Sequence, residues 1–187
     1  MNTIFELECI RTGIIFNILI LASCCDLKNS RVDNRIIFCG WFLSFLFHFI
    51  GKPFILQESI HPIMLLDYMG GLLLPICIFW IFNRMGTIGA GDMKLLSVIG
   101  AFHGVEFIIH MLFPVLIAGG TLSFVHVIYH NNLWERLRYF TVIMKRCIEE
   151  KRIVSYKEDL SARDKAVIPF TLAISIGYFV TWIGGLM

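Results

Sequence analysis

The sequence predicts an all-α, polytopic membrane protein with about six transmembrane helices in one membrane-embedded domain, residues 1–187. Of its 187 residues, 57% are hydrophobic and 16% are charged, whereas soluble globular domains have about 45–50% and about 25%. Apolar segments of about 20 residues, enough to cross the hydrocarbon core of a bilayer, recur along the chain. Six of them with short links would use nearly its whole length, so no large soluble domain is expected.

Six apolar segments are predicted to span the membrane. They lie at about 5–25, 36–56, 63–82, 93–102 with its flanks, 107–129 and 166–186. The fourth must be short, tilted or begin near Ile88, because Gly104-Val105-Glu106 follows it closely. The first could instead be a removable lipoprotein signal, since Leu21-Ala22-Ser23-Cys24 fits a cleavage box. Glu6 and Glu8 argue against this, because a signal begins with basic residues.

The positions of Lys and Arg predict how the protein is oriented. Most of them fall in three links: residues 26–35, the link just before the fourth segment, and residues 131–165. Only Arg11 and Lys52 lie on the other side. By the positive-inside rule, the three links are cytoplasmic and both termini face out. We therefore expect a multi-pass protein of the cell's inner or plasma membrane.

Residues 131–165 form the only sizeable polar region. Leu133, Leu137, Phe140 and Met144 recur there at helical spacing among basic residues. This pattern predicts a cytoplasmic amphipathic helix that lies on anionic membrane lipid, and a solvated loop is the alternative. The net charge of +2 is too small to indicate nucleic acid as a partner.

The cysteines and histidines do not indicate a metal site. The six cysteines contain no C-x-x-C pair and lie mostly in apolar runs, so they are predicted to be buried apolar residues. They are Cys9, Cys24, Cys25, Cys39, Cys77 and Cys147. His126 and His130 could share a metal ion at their i, i+4 spacing, but no third ligand accompanies them. We expect no metal and no cofactor.

Asp26 and Asp92 are predicted to lie at the same cytoplasmic edge of the membrane. A charge within a membrane segment is costly, and its default interpretation is functional. Small residues near each aspartate, such as Ala22 and Gly91, would let two helices bring the carboxyl groups together. Because two adjacent carboxylates cannot both ionise, such a pair shares one proton. One carboxylate can then deprotonate water while its protonated partner polarises a scissile carbonyl.

Each acidic residue also has a structural interpretation. Asp26 alone could end a helix in a mixed-charge link, and Asp92 alone could be a helix N-cap after a glycine-rich turn. Lys94 is two positions from Asp92 and would point away from it on a helix. Asp33 lacks apolar surroundings that would perturb its ionisation. Asp67, about one turn inside the third segment, is predicted to be a packing or interfacial residue.

Three short motifs occur in order along the chain. Asp26 is followed by basic residues and then by Asn34. Gly89-Ala90-Gly91-Asp92 fits the GxGD signature of intramembrane aspartic proteases and continues as Met93-Lys94-Leu95-Leu96. Ile168-Pro169-Phe170 opens the last segment. Together these motifs resemble the type IV prepilin peptidases, also called prepilin leader peptidases, and their archaeal preflagellin relatives.

The resemblance implies that Asp26 and Asp92 are the catalytic pair. It also implies that five motif residues support them. These are Gly89, Gly91, Lys94, Asn34 and Pro169. The implied reaction removes the short basic leader from prepilin-like or pseudopilin precursors, at the cytoplasmic border of their N-terminal hydrophobic helix. The implied partners are these precursors.

The chain departs from the family pattern in two places. Asp33 stands where the family usually has proline before Asn34, so the turn after Asp26 is expected to differ. The paired C-x-x-C motifs of the methyltransferase region in bifunctional members are missing, so we expect a short, protease-only form. The Pro-Ala-Leu motif of presenilin-like GxGD enzymes is also missing, which argues against that branch.

Two other kinds of function remain as alternatives. A transporter or channel would place Asp67, Asp92 and the histidines along one route across the membrane. A non-catalytic membrane scaffold would tolerate replacement of either Asp26 or Asp92. The protease is favoured because the two candidate acidic residues lie at one face of the membrane and not along a path.

Overall fold

The computed structural model describes residues 2–29, 32–51, 53, 62–84, 88–129, 141 and 170–186. These residues form six α-helices and no β-strand. The helices are α1 (Asn2–Asn29), α2 (Asn34–Leu46), α3 (Pro62–Arg84), α4 (Ala90–His103), α5 (Val105–Tyr129) and α6 (Phe170–Leu186). A π-helical turn, Phe47–Gly51, extends α2. The predicted all-α architecture is confirmed.

Within the part of the chain that the structure describes, four helical stretches are long and apolar enough to cross a membrane. They are Phe5–Lys28, Asn34–Gly51, Pro62–Arg84 and Val105–Val125. A shorter apolar stretch, Phe170–Gly185, lies in α6. Large apolar side chains also cover the outside of the bundle: Phe113 is 72% exposed and Leu66 is 70% exposed. An apolar exterior of this extent belongs in lipid, so the chain is a polytopic membrane protein.

The helices run alternately up and down. The Asp26 side chain, near the end of α1, contacts Thr171 at the start of α6. Asn34, at the start of α2, contacts Lys94 near the start of α4. Gly104 alone separates α4 from α5, so the chain reverses there. We call the end of the bundle that holds Asp26, Thr171, Asn34 and Lys94 the site end. The opposite end, which holds Gly104, is the far end.

The short helix α4 occupies the centre of the bundle. It has 14 residues and is therefore about 21 Å long, less than the roughly 30 Å of a hydrocarbon core. The prediction of a short fourth segment is confirmed. All residues of α4 from Leu95 to Phe102 are buried, and α4 contacts α2, α3, α5 and α6. The core is thus built around α4, with Asp92 at its first turn.

The helices α3 and α4 touch backbone to backbone. A Cβ atom added to Gly71 would lie 2.1 Å from the Gly100 carbonyl oxygen, and one added to Gly100 would lie 2.1 Å from that of Gly71. Only glycine at both positions allows this approach. At the site end, Asn83 Nδ2 donates a hydrogen bond to the Ile88 carbonyl at 3.0 Å, which ties the end of α3 to the link before α4.

Asp67 has the packing role predicted for it. Its Oδ1 accepts a hydrogen bond from the Val105 backbone N–H at 3.0 Å, so it satisfies one of the free donors at the start of α5. The corner is made by Gly104, whose φ of 88° is a left-handed conformation that favours glycine. Asp67 therefore fixes the far-end turn between α4 and α5 and lies away from the site end.

The prediction that the cysteines are buried is wrong for most of the described ones. Cys9, Cys24, Cys39 and Cys77 are exposed, Cys25 is partly exposed, and all five are free thiols. Their apolar runs face outwards, where lipid covers them in place of protein. A thiol is apolar enough for either environment.

Several helix ends differ from those predicted. α1 continues past residue 25 to Asn29, α3 continues past residue 82 to Arg84, and α5 begins at Val105, before residue 107. Other predictions lie outside the described residues. These are the amphipathic segment at 131–165, apart from residue 141, and Cys147, His130, Pro169 and the side chain of His126.

Candidate active site

Asp26 is buried in the last turn of α1. Its side chain is 9% exposed, and that of Thr171 in the first turn of α6 is fully buried. The Thr171 Oγ1 donates a hydrogen bond to Asp26 Oδ2 at 2.5 Å. Because a buried carboxyl group is costly without a hydrogen-bond partner, this bond both satisfies Asp26 and joins α1 to α6.

Asp92 lies in the first turn of α4 but is not its N-cap. The N-cap is Gly89, with φ −67° and ψ 140°, so the interpretation of Asp92 as the cap itself is wrong. The Gly89 backbone forms a hydrogen bond with the Asp92 carboxyl group, which is how the third helical residue acts in a capping box. A Cβ atom on residue 89 would lie 2.8 Å from Asp92 Oδ2. Gly89 therefore leaves room for the carboxyl group.

The fold brings Asp26 and Asp92 together although two helices separate them in the sequence. They are close enough for the charge of Asp26 to act on Asp92. Among the described residues, neither aspartate forms an ion pair with Lys, Arg or His. Two carboxyl groups that interact away from water and without a cation favour a state in which one of them keeps its proton.

The other motif residues hold the start of α2 against the start of α4. Lys94 Nζ donates a hydrogen bond to Asn34 Oδ1 at 3.1 Å, which agrees with the prediction that Lys94 points away from Asp92. Gly91 faces the link between α1 and α2. A Cβ atom there would lie 3.1 Å from Val32 Cβ, so glycine lets this link approach α4. These contacts position the elements that carry Asp26 and Asp92.

Two of the acidic residues considered in the sequence have structural roles elsewhere. Asp33 is exposed and is the N-cap of α2, where its Oδ1 accepts from the Arg35 N–H at 3.0 Å. Asp67 caps α5 at the far end. Neither contributes a carboxyl group to the pair formed by Asp26 and Asp92.

Thr171 was missed by the sequence interpretation. Its signal in the sequence is modest: it is a hydroxyl in the first turn of an apolar helix, directly after the Ile168-Pro169-Phe170 motif. Only its contact with Asp26, across the whole length of the chain, reveals its relation to the site.

The chemistry that this set of side chains offers is proton transfer. Two interacting carboxyl groups can hold one proton between them and can accept or donate it. Within the described residues, no group of three or more His, Cys, Asp or Glu side chains could hold a metal ion. The expectation of a metal-free site stays a prediction.

Comparison with known proteins gives a family match. The model of the type IV leader peptidase family matches residues 13–124, which is more than half of the chain and includes Asp26 and Asp92. Neither the curated proteins nor the solved structures gave a match. The family match agrees with the resemblance carried by the three motifs and with the helical membrane fold, and the chain therefore belongs to the type IV leader peptidase family of peptidases.

Proposed function

We propose that the chain is an aspartic endopeptidase whose catalytic dyad is Asp26 and Asp92. Its substrates are prepilin-like or pseudopilin precursors, from which it removes the short basic leader at the cytoplasmic face of the membrane. The observation that carries this proposal is that Asp26 and Asp92 lie close enough at the site end of the bundle for the charge of Asp26 to act on Asp92. The family supports a peptidase that processes prepilin-type precursors, and the paired carboxyl groups supply the chemistry.

The dyad can hydrolyse a peptide bond with no net change in its own protonation. The ionised carboxylate takes a proton from water, and the hydroxide attacks the scissile carbonyl carbon while the partner gives its proton to the carbonyl oxygen. In the second half, the C–N bond breaks as the first carboxyl group protonates the leaving nitrogen. The second recovers its proton from the hydroxyl of the tetrahedral intermediate. One water is consumed and both carboxyl groups return to their starting states.

The place of the dyad suits a substrate with a basic leader before an apolar helix. By the positive-inside rule, the basic leader stays in the cytoplasm while the helix enters the bilayer. Their junction then lies at the cytoplasmic membrane edge. In the orientation inferred from Lys and Arg, Asp26 and Asp92 lie at that same level.

A transport path through the bundle receives less support. The site end and the polar residues of the far end are separated by α4, whose residues from Leu95 to Phe102 are buried and apolar except Ser97 and Gly100. Ser97 is already engaged, since it accepts from Trp41 Nε1 at 3.0 Å and donates to the Lys94 carbonyl at 2.7 Å. Asp67, which a path would need, caps α5.

Purified enzyme mixed with a prepilin-like precursor from the same source is expected to release the leader, and the rate is expected to be unchanged in chelator. The reason is that the proposed dyad activates water by proton transfer alone. Cleavage is measured by N-terminal sequencing and mass of the product. Precursors without the basic leader serve as controls. Activity that disappears in chelator and returns with added zinc would contradict the dyad mechanism, since it indicates metal-activated water.

The orientation has its own test by thiol labelling of intact cells. In a variant that keeps Cys147 alone, an impermeant maleimide is expected to label it only after the membrane is opened, because residues 131–165 are predicted to be cytoplasmic. Gly185→Cys in a second variant, in which every native cysteine including Cys147 is replaced, places a thiol at the exposed far end of α6, and this thiol should react from outside. Labelling of Cys147 in intact cells would overturn both the orientation and the cytoplasmic site.

A further inference from the structure

The hydroxyl of Thr171 is the one polar contact that the structure gives to the buried Asp26 carboxyl group within the described residues. It approaches one oxygen, Oδ2, at 2.5 Å, which is at the short end of the range for a hydroxyl that donates to an oxygen. The other oxygen, Oδ1, is left for a further partner. The contact is therefore directional, and it treats the two oxygens of Asp26 differently.

We propose, on the basis of the proposed function, that Thr171 is a positioning residue that holds Asp26 as the carboxylate and leaves its Oδ1 to accept the proton of water. A hydrogen bond donated to the ionised form of a carboxyl group favours that form. Asp26 then serves as the base of the dyad, and Asp92 is the partner that carries the shared proton.

The surroundings of the dyad leave Thr171 as the group that distinguishes the two aspartates. The described charged side chains at the site end are Lys28 on α1, Asp33 and Arg35 on α2, Arg84 on α3, and Asp92 and Lys94 on α4. Of these, Lys28, Asp33, Arg35 and Arg84 are exposed, and Lys94 is bonded to Asn34. α6 has no Asp, Glu, Lys, Arg or His from Phe170 to Leu186. Asp92 is thus the charged group that acts with Asp26.

The two aspartates also differ in the kind of donor that they receive. The Asp92 carboxyl group forms its hydrogen bond with the backbone of Gly89, the N-cap of its own helix. This contact is therefore local and forms together with α4. Asp26 depends on a side chain from a different helix, at the other end of the sequence. Loss of the Thr171 hydroxyl would therefore leave Asp92 with its hydrogen bond to the Gly89 backbone and Asp26 without its buried donor.

Thr171→Val removes the hydroxyl while keeping the shape of the side chain, and it is expected to lower kcat for leader cleavage about 10²-fold with little change in KM. The acidic limb of the pH–rate profile should move to higher pH, because the hydrogen bond that favours the carboxylate form of the dyad is then lost. Thr171→Ser keeps the donor and should restore most of kcat and the original acidic limb.

Thr181→Val is the matched control. Thr181 lies on the same helix, and its Oγ1 donates to the Gly177 carbonyl of that helix at 2.8 Å. The same substitution there is expected to leave kcat and the pH–rate profile unchanged. If Thr171→Val inserts poorly, Thr171→Ala removes the same hydroxyl without adding bulk, and its acidic limb is measured instead.

The outcomes separate this inference from the proposed function. The positioning role of Thr171 would be overturned by an unmoved acidic limb in Thr171→Val or Thr171→Ala. It would also be overturned by equal losses of kcat in Thr171→Ser and Thr171→Val. In either case Asp26→Asn would still be inactive, so the dyad itself would stand. Cleavage that survives Asp26→Asn would instead remove the dyad on which the inference rests. A shifted acidic limb with rescue by serine supports the inference, because a purely structural contact would change stability without moving that limb.

Discussion

Asp26→Asn and Asp92→Asn are each expected to reduce leader cleavage by about 10²–10⁴-fold or more, to the level of no enzyme. Asparagine has nearly the shape of aspartate but can neither accept the proton of water nor share one with a neighbouring carboxyl group. The double variant should be little worse than either single one, because the two groups act as a unit. Initial cleavage rates of the purified variants measure the effect.

Folding and membrane insertion should survive both changes. Asparagine keeps a side-chain oxygen that can accept the hydrogen bond from Thr171 or from the Gly89 backbone. Removing a buried negative charge also removes its desolvation cost. Expression level, detergent-solubilised size and thermal unfolding are therefore expected to stay close to those of the parent chain.

Asp33→Asn and Asp67→Asn are the matched controls. Asparagine is as good an N-cap as aspartate, so α2 keeps its cap at position 33. At position 67, its side-chain oxygen can still accept the Val105 N–H, so the corner at Gly104 persists. Both variants should retain substantial activity. Near-parental cleavage by correctly inserted Asp26→Asn or Asp92→Asn would refute the catalytic assignment of that residue. Normal cleavage by both variants would refute the dyad and leave the non-catalytic scaffold and the transporter as the alternative functions.

Gly71→Ala and Gly100→Ala are expected to destabilise the bundle by about 1–3 kcal/mol or more and to reduce cleavage about 10²-fold. Each new methyl group meets a backbone carbonyl at 2.1 Å, and backbone cannot rotate away as a flexible side chain can. α3 and α4 must therefore separate, which displaces Asp92. Thermal unfolding in detergent and cleavage rates measure the two effects.

Gly13→Ala and Gly120→Ala test whether any change of a helical glycine to alanine destabilises the bundle and slows cleavage. Both glycines lie within helices, α1 and α5, and a Cβ atom at either would have nothing within 4 Å. Since alanine favours helix more than glycine, these variants should be neutral or more stable by about 0.4–1 kcal/mol. Equal behaviour of all four variants would mean that the close approach of α3 and α4 does not hold the bundle together.

The sequence was informative where a property is local. Hydropathy located the helices, the short interval before Gly104 predicted a short α4, and the GxGD motif pointed to Asp92. The cysteine prediction failed because hydropathy does not distinguish a side chain that faces lipid from one that faces protein, since both surroundings are apolar. Cys39 and Cys77, for example, lie in apolar segments but are exposed on the side that faces lipid.

The parts that could not be predicted are pairings between distant segments. The contact of Thr171 with Asp26, that of Gly71 with Gly100 and the capping of α5 by Asp67 each join two helices. Periodicity and composition describe one segment at a time, and many pairings of six helices satisfy the same hydropathy. The three-dimensional packing selects among them, and with them the partner of each polar side chain.

The central position of α4 has a consequence for how the protein is made. With Asp92, Lys94 and His103 in a helix of 14 residues, α4 is too short and too polar to partition into the bilayer by itself. α3 is long and apolar and meets it glycine to glycine, so we expect the two to enter the bilayer as a helical hairpin. We then expect Asp92 to be delivered together with α3, whereas Asp26 receives the hydroxyl of Thr171 only after α6, which follows α1 to α5 in the chain, has joined the bundle. A nascent chain in which α6 has not yet been translated therefore lacks the contact between Thr171 and Asp26.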